Sequence, residues 1–479
     1  MLRIAASSRT CLGFRCPLRE ACFAQKVLKD AQGWSVVVAN YHLFFSYILG
    51  SGNPFPVSYD LLICDEAHKI PDAARSSMTV TASRDDLVRL LRSRIFLSDD
   101  SSSSVRATNE ERSAVAAEIR QEAVRFYELL EVKCPQAKAA FTSRNEELWH
   151  QQQVVSEKIR TLLDMVAPET DGEDEEEDGA IAVWTEELQR ARTALEWCAS
   201  VGQYPEWAYW KDGASLSSAP VVSSAEASQC LQSGAAEKAF FVSATLTLGG
   251  TWDYWMRESG IRPTAFFIGG SSFDLEAQME IVVVDTGLSV TDTEYDGTVC
   301  RVVEKLTEAN GGRTLVLASS HRLLKKLGET FRRKRRSYAV LVQGDLPRTE
   351  LLEFFRKDET SVLIGSASFR EGVDVPGGGL TQVIIDRIPF PHPGDPMVQA
   401  RTTLEGQAAF CRSTLPEAKM VLKQAAGRLI RSTTDSGRVV IVDGRVLDRK
   451  DWNIPAVLPR VRYRRLFVPP KSVAPSEAV

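Results

Sequence analysis

Leu61-Leu-Ile-Cys-Asp-Glu-Ala-His68 runs from four apolar residues straight into two carboxylates. A short apolar run closed by charge reads as a buried strand, and parallel α/β sheets bind ligands at the carboxyl ends of their strands. Asp65 and Glu66 therefore stand where a triphosphate-hydrolysing fold carries its metal-binding carboxylate. An Asp there holds magnesium, and the next Glu can polarise the attacking water. A surface Asp-Glu pair ending a strand is also commonplace, so the reading depends on what surrounds it.

Similar apolar runs recur in two groups, an early one at residues 35–39, 61–64 and 239–243 and a later one at 314–317, 362–364, 383–385 and 438–442. They alternate with helical spacing, which predicts an α/β fold with two parallel sheets. Residues 75–234 differ. Leu87, Leu90 and Leu91, and then Ile119, Val124, Leu129 and Leu130, recur near helical spacing, so this interval reads as a mostly helical insertion. Within it, 101–104 and 173–178 read as solvated loops, and Trp184, Trp197, Trp207 and Trp210 read as core rather than as a stacking platform.

The chain has 479 residues, 44% hydrophobic and 25% charged, with a net charge of -5. That length suggests about three soluble domains. The charge gives no global signature of nucleic-acid binding, so a basic surface must be local. One candidate ends in Arg332-Arg333-Lys334-Arg335-Arg336; a solvated helix face explains the same run equally well. The apolar stretch 36–49 is too short to span a membrane and contains Asn40 and His42. The first nineteen residues hold four Arg and no acid, which superficially suits a transit peptide. Nine cysteines without a secretory signal point instead to a reducing, cytoplasmic setting. Six of these are scattered, and Cys64, Cys198, Cys230, Cys300 and Cys411 read as core residues. Cys11, Cys16 and Cys22 form a compact run around Pro17, open to an iron-sulfur cluster, a zinc site or three unrelated thiols.

Two further stretches carry chemistry. Val421-Leu-Lys-Gln-Ala-Ala-Gly-Arg-Leu-Ile-Arg431 is helical in pattern, and on a continuous helix Gln424, Arg428 and Arg431 share one face. Two guanidiniums in a row can neutralise γ-phosphate charge, and Gly427, between Gln424 and Arg428, would permit close approach. Gly365-Ser-Ala-Ser-Phe-Arg-Glu-Gly-Val-Asp-Val-Pro-Gly377 forms a sharply turned loop after the strand at 362–364, with Ser366, Glu371 and Asp374 on the ligand side. Ser243-Ala-Thr-Leu246 brings two hydroxyls to the end of another strand.

In this order the residues resemble the DinG/XPD branch of superfamily-two DNA helicases, the DinG side most closely, over nearly the whole chain. Asp65-Glu-Ala-His68 looks like the family's Walker B box of DEAH type, Ser243-Ala-Thr245 like its coupling motif, and Ser368-Phe-Arg-Glu-Gly-Val-Asp374 like its fifth motif. Gln424-Ala-Ala-Gly-Arg-Leu-Ile-Arg431 is similar to the sixth. Ala39-Asn-Tyr-His-Leu43, Phe273, Gln343-Gly344 and Ile388-Pro-Phe-Pro-His-Pro-Gly-Asp-Pro396 are smaller echoes. The resemblance implies two recA-like parallel-sheet domains, a mostly helical arch insertion and a partial iron-sulfur loop. Residues 1–26 would be a remnant of the cluster domain, 27–74 with 235–265 the rest of the first recA-like domain, 75–234 the arch, 266–468 the second recA-like domain and 469–479 a loose tail.

The implied cofactors are ATP, Mg2+ and a 4Fe-4S cluster, for which Cys11, Cys16 and Cys22 match the last three of four ligands. Asp65 would hold magnesium, Glu66 would position water, and Gln424, Arg428 and Arg431 would sense the γ-phosphate. His68, Ser243, Thr245, Glu371, Gly372, Asp374 and Gly427 fall in the nucleotide-binding and coupling motifs. The implied activity is 5′ to 3′ movement on single-stranded or forked DNA, in a repair setting, with the 332–336 surface touching DNA. The rival expectation is a non-catalytic single-strand-binding remnant. An iron-sulfur redox protein fits poorly, because nothing else suggests an electron partner.

The sequence departs from the pattern in two places. No Gly-x-x-x-x-Gly-Lys-Ser/Thr occurs, nor any Gly-Lys pair, so the loop that cradles the β- and γ-phosphates is missing. The family places that loop and the first cluster cysteine upstream, so the chain is expected to be the C-terminal part of a longer helicase, through truncation, a misplaced start or a split gene, with a separate N-terminal fragment as a possible partner. Arg370 stands where family members often carry an aromatic residue.

Overall fold

The computed structural model describes residues 19–50, 54–95, 97, 103–166, 175–232, 238–366, 369, 375 and 377–469. The chain divides into two compact units. The first joins Met1–Val242, Met256–Ile261 and His392–Ala409; the second joins Ser243–Trp255, Arg262–Pro391 and Phe410–Val479.

In the first unit, β1 (Leu61–Asp65) is followed by four strands of the insertion, β2 (Val80–Ser83), β3 (Lys138–Phe141), β4 (Trp207–Asp212) and β5 (Ser215–Pro220), and then by β6 (Lys238–Val242). Strands β1 and β6 pair in parallel, from Leu61 opposite Lys238 to Asp65 opposite Val242. The strand expected at 35–39 does not form. Its backbone pairs with no strand among the described residues, and Val36 and Val38 are exposed. An apolar run needs a ladder partner to become a strand, and sequence pattern cannot show whether one is present.

The insertion is built on the helices Arg84–Arg92, Ser103–Lys133, Glu146–Val166 and Glu175–Ala199. They bury Leu90, Leu91, Ile119, Leu130, Ile159, Leu162, Trp184 and Leu188 in one core. The last helix starts at Glu175, inside the acidic run expected to be loop. Sequence pattern also missed the antiparallel sheet β2-β5-β4-β3, because β4 and β5 carry Trp, Tyr, Ser and Lys rather than an apolar run. Lys211 of β4 is fully buried there. Its Nζ donates to Glu131 at 2.8 Å and to the carbonyls of Cys134 at 2.8 Å and Gln136 at 3.1 Å, a set of acceptors that offsets the cost of burying the charge.

The second unit centres on seven parallel strands: β7 (Met279–Asp285), β8 (Thr314–Leu317), β9 (Val340–Val342), β10 (Val362–Gly365), β11 (Gln382–Ile385), β12 (Gly437–Ile441) and β13 (Arg462–Phe467). Their order is β13-β7-β12-β11-β8-β10-β9. Alternate residues of each central strand feed two cores, Ile281, Leu315, Leu363 and Val439 on one face and Val282, Val316, Ile364 and Val440 on the other. Burial on both faces is what a parallel sheet requires. Strands β7, β9 and β13 were not anticipated; β9 has only three residues, and β13 carries three Arg among its six residues, as a charged edge strand does.

Candidate functional site

Strand β1 delivers Asp65 to the carboxyl edge of its sheet, and the chain then turns sharply. Glu66 adopts φ 50, ψ 44, a left-handed conformation costly for a residue with a Cβ. The turn lets the Glu66 amide donate to Asp65 Oδ1 at 2.9 Å. One Asp65 oxygen is thereby oriented, while no donor among the described residues holds Oδ2. Such an exposed carboxylate oxygen suits a hard cation such as magnesium. Glu66 is half-exposed, and its Oε2 lies 3.3 Å from Nδ1 of the buried His68. The Tyr41 hydroxyl donates to the Asp65 carbonyl at 2.6 Å, and Asn40 caps the short helix carrying Tyr41 by accepting the Leu43 amide at 2.7 Å. Burial pushes the neighbouring Cys64 thiol up to about 11, so it remains protonated.

In the second unit, Ser243 and Thr245 place their hydroxyls 3.3 Å apart, and the Thr245 amide donates to Ser243 Oγ at 3.2 Å. Gln424 Nε2 donates to Thr245 Oγ1 at 3.4 Å, and Lys423 Nζ donates to the Thr247 carbonyl at 3.1 Å. Burial lowers the pKa of Lys423. The Ser-Ala-Thr segment and the Gln-to-Arg segment are thus joined within one unit.

The second segment differs from its expected shape. Its helix spans Leu415–Ala426 and stops at Gly427, so Gln424, Arg428 and Arg431 do not share a helical face. Gly427 is exposed, its φ is -68, and an added Cβ would meet nothing closer than 3.5 Å. Close approach therefore does not demand glycine there. Arg428 and Arg431 lie in the turn beyond, and Asp435 holds that turn. Its carboxylate accepts the amides of Arg431 at 2.6 Å, Ser432 at 2.8 Å and Gly377 at 3.0 Å, and the Ser432 hydroxyl at 2.6 Å. Burial pushes the Asp435 carboxyl up, but these donors more than reverse it and leave it below the usual carboxylate range. Sequence reading missed Asp435. The Ser-Thr-Thr-Asp composition signals a turn, but not the link to Gly377.

Glu371, Gly372 and Asp374 lie outside the described residues, as do Cys11 and Cys16. The approach to the fifth motif is tied down, since Gln343 Oε1 accepts the Ser366 amide at 2.7 Å, and within the motif Phe369 is buried against Gly365. Cys22 is the N-cap of the helix Phe23–Ala31 and is partly exposed. Among the described residues, no group of three His, Cys, Asp or Glu gathers closely enough to hold a metal. Cys411, expected in the core, is exposed.

The basic run is largely occupied by acids. Arg332 pairs with Asp345, Lys334 with Glu304, and the nearly buried Arg336 with Glu304 and Glu308. Among the described residues only Arg333 and Arg335 of the five make no ion pair. A further buried carboxyl stands at the end of β11. Asp386 accepts the Ser319 amide at 2.8 Å and the Ser319 hydroxyl at 2.6 Å, and burial raises it to about 6.

The second unit joins a seven-stranded parallel sheet to a Ser-Ala-Thr segment hydrogen-bonded to Gln424, and the first closes a parallel strand pair with Asp65 and Glu66, features expected of a superfamily-two helicase. Residues 303–460 match the family described as Helicase C-terminal domain. The chain is 29% identical over 467 residues to the ATP-dependent DNA helicase YoaA of Escherichia coli, covering 93% of this chain and 70% of that protein. To the ATP-dependent helicase DinG of Mycobacterium tuberculosis it is 38% identical over 212 residues, 43% of this chain and 32% of that one. Among solved structures, Xpd4 of S. tokodaii shares the fold with a TM-score of 0.56 at 13% identity, covering 88% of this chain and 81% of that one. An XPD helicase does so with a TM-score of 0.55 at 16% identity, covering 89% and 72%. These similarities all point to the DinG/XPD-like branch of superfamily-two helicases, which this chain resembles in sequence and in fold. No described helix is long and apolar enough to cross a membrane.

Proposed function

We propose that this chain is the motor part of an ATP-dependent DNA helicase of the DinG type, acting on single-stranded or forked DNA. The observation that carries this reading is the hydrogen bond from Gln424 to Thr245, which couples two segments 179 residues apart in sequence. A nucleotide sensor is useful only if its movement reaches the element that grips DNA, and such a contact is a direct route between them. Asp65 would hold magnesium, whose role when bound is to neutralise phosphate charge. Glu66, oriented by His68, would position the water. Arg428 and Arg431, on a turn stiffened by Asp435, would offer guanidiniums to the terminal phosphate. Glu371 and Asp374 would link nucleotide to DNA, and Cys22 with Cys11 and Cys16 would contribute thiolates to a cluster. Movement from 5′ to 3′ follows the family resemblance.

The 479 residues contain no phosphate loop, so this polypeptide would hold a triphosphate incompletely. The expected behaviour of this polypeptide alone is salt-sensitive single-strand binding, weak ATP binding and no turnover. Phosphate release measured with and without oligonucleotide tests this. A helicase-like rate that disappears in Glu66→Gln would overturn the incomplete-site reading, and failure to bind single strands at all would overturn the motor reading.

A further inference from the structure

Outside the motor segments, β13 carries exposed arginines. This strand forms one edge of the seven-stranded sheet, and among the described residues nothing pairs with its outer side. Arg462 and Arg464 are exposed on it, and Arg460 is exposed two residues before Arg462. None of the three makes an ion pair or a side-chain hydrogen bond among the described residues, although Glu280 stands opposite Arg462 in the register. Arg465 provides the contrast. It points to the opposite face and is held by Asp285 at 2.6 Å and Asp448 at 2.7 Å. Acids thus engage the arginine of one face and leave those of the other face free.

As alternate strand residues, Arg462 and Arg464 lie about 6.6 Å apart on one face, comparable to the spacing of successive phosphates along an extended single strand, and Arg460 extends the charge from the bend just before the strand. A guanidinium offers a planar donor fork suited to phosphate oxygens. We propose that Arg460, Arg462 and Arg464 form a contact strip for the sugar-phosphate backbone of single-stranded nucleic acid, separate from the 332–336 run. The strip supplies sequence-independent affinity, since it offers charge but no aromatic platform or base-reading amide. The proposal rests on the nucleic-acid reading of the chain. Its plainest competitor is protective: charged side chains on an open edge also discourage strand addition.

Fluorescence anisotropy with a labelled oligothymidylate, without nucleotide and across a salt series, separates the alternatives. Replacing all three arginines by Ala is expected to weaken binding several-fold and to lower the slope of log affinity against log salt by about 2, while replacement by Lys retains most of that slope. Circular dichroism and melting of each variant check that the fold persists; the Lys variant keeps the test valid if the Ala variant does not fold. Unchanged affinity and slope in a folded Ala variant that self-associates more readily would overturn the strip in favour of edge protection. Strip-dependent binding of polyglutamate without oligonucleotide binding would overturn it in favour of an acidic protein partner. Oligonucleotide binding by the native chain that the Ala variant preserves would refute the strip alone; no binding by either would refute the nucleic-acid reading as well.

Discussion

At the scale of single residues, the junction of strand and carboxylate was legible because its signal is local. Four apolar residues followed by Asp65 and Glu66 specify both an element and the edge it reaches. Asp386 was not legible, since its character comes from being fully enclosed and from Ser319 on a neighbouring strand end. A carboxyl held near 6 in the fold, against about 3.9 when unfolded, favours the protonated state. Its contribution is fully present below about pH 4 and is lost as pH rises through about 6, a change on the order of 3 kcal/mol. Asp435 has the opposite sign: its depressed pKa gives stability above about pH 3.9 that is lost on further acidification. The two windows barely overlap, so they can be separated. Asp386→Asn keeps an acceptor for the Ser319 amide but cannot ionise, so it is expected to flatten the decline in stability between about pH 4 and 7. Urea midpoints measured across that range in both proteins provide the check, and parallel profiles would show that Asp386 does not drive the decline.

At the scale of elements, β8, β10, β11 and β12 were legible from their apolar runs, whereas helix ends, the edge strands and the interior strand β7 were not. The clearest case is the pair of glycines that flank the Arg428–Arg431 turn. Sequence spacing assigns close approach to Gly427, yet the steric demand falls on Gly437, the first residue of β12. A Cβ there would stand 2.2 Å from the Thr381 carbonyl oxygen, which is backbone immediately before the neighbouring strand β11 and cannot swing aside. Gly427→Ala is therefore expected to change stability by no more than about 1 kcal/mol, the difference between a helix-end glycine and alanine. Gly437→Ala must separate β11 from β12 and is expected to cost about 3 kcal/mol or more. Thermal melting of the two variants decides the matter. Equal losses would mean that the Gly427 turn is far tighter than its geometry indicates. The same contrast explains why a motif can be recognised correctly while its physical role is misread: letters mark the turn, but only packing shows which glycine is irreplaceable.

At the scale of the whole molecule, the first unit is assembled from three separated stretches, and its third stretch, His392–Ala409, interrupts the second unit's sequence. Composition gives no hint of this, because the connection is made by contacts rather than by pattern. Its helix Pro396–Glu405 carries Arg401, which is 8% exposed and binds both carboxylate oxygens of Glu258, itself 7% exposed. Arg401 also donates to the Val221 carbonyl at 3.2 Å, and Asp395 at the start of the helix receives Lys138 of β3 at 3.0 Å. Three stretches of chain thus converge on one buried guanidinium. Burying such a pair brings little net stability, but removing Arg401 leaves the buried Glu258 to the more exposed Arg257, 3.3 Å away, and costs up to about 3–5 kcal/mol. Arg401→Met is accordingly expected to lower the stability of the first unit by about that amount, whereas Arg401→Met combined with Glu258→Met should recover most of the loss. Denaturant unfolding of the two single variants and the double variant gives the coupling directly. Additive losses would show that the pair is not the clasp that holds His392–Ala409 in the first unit, and Lys138 with Asp395 would then be the next contact to test.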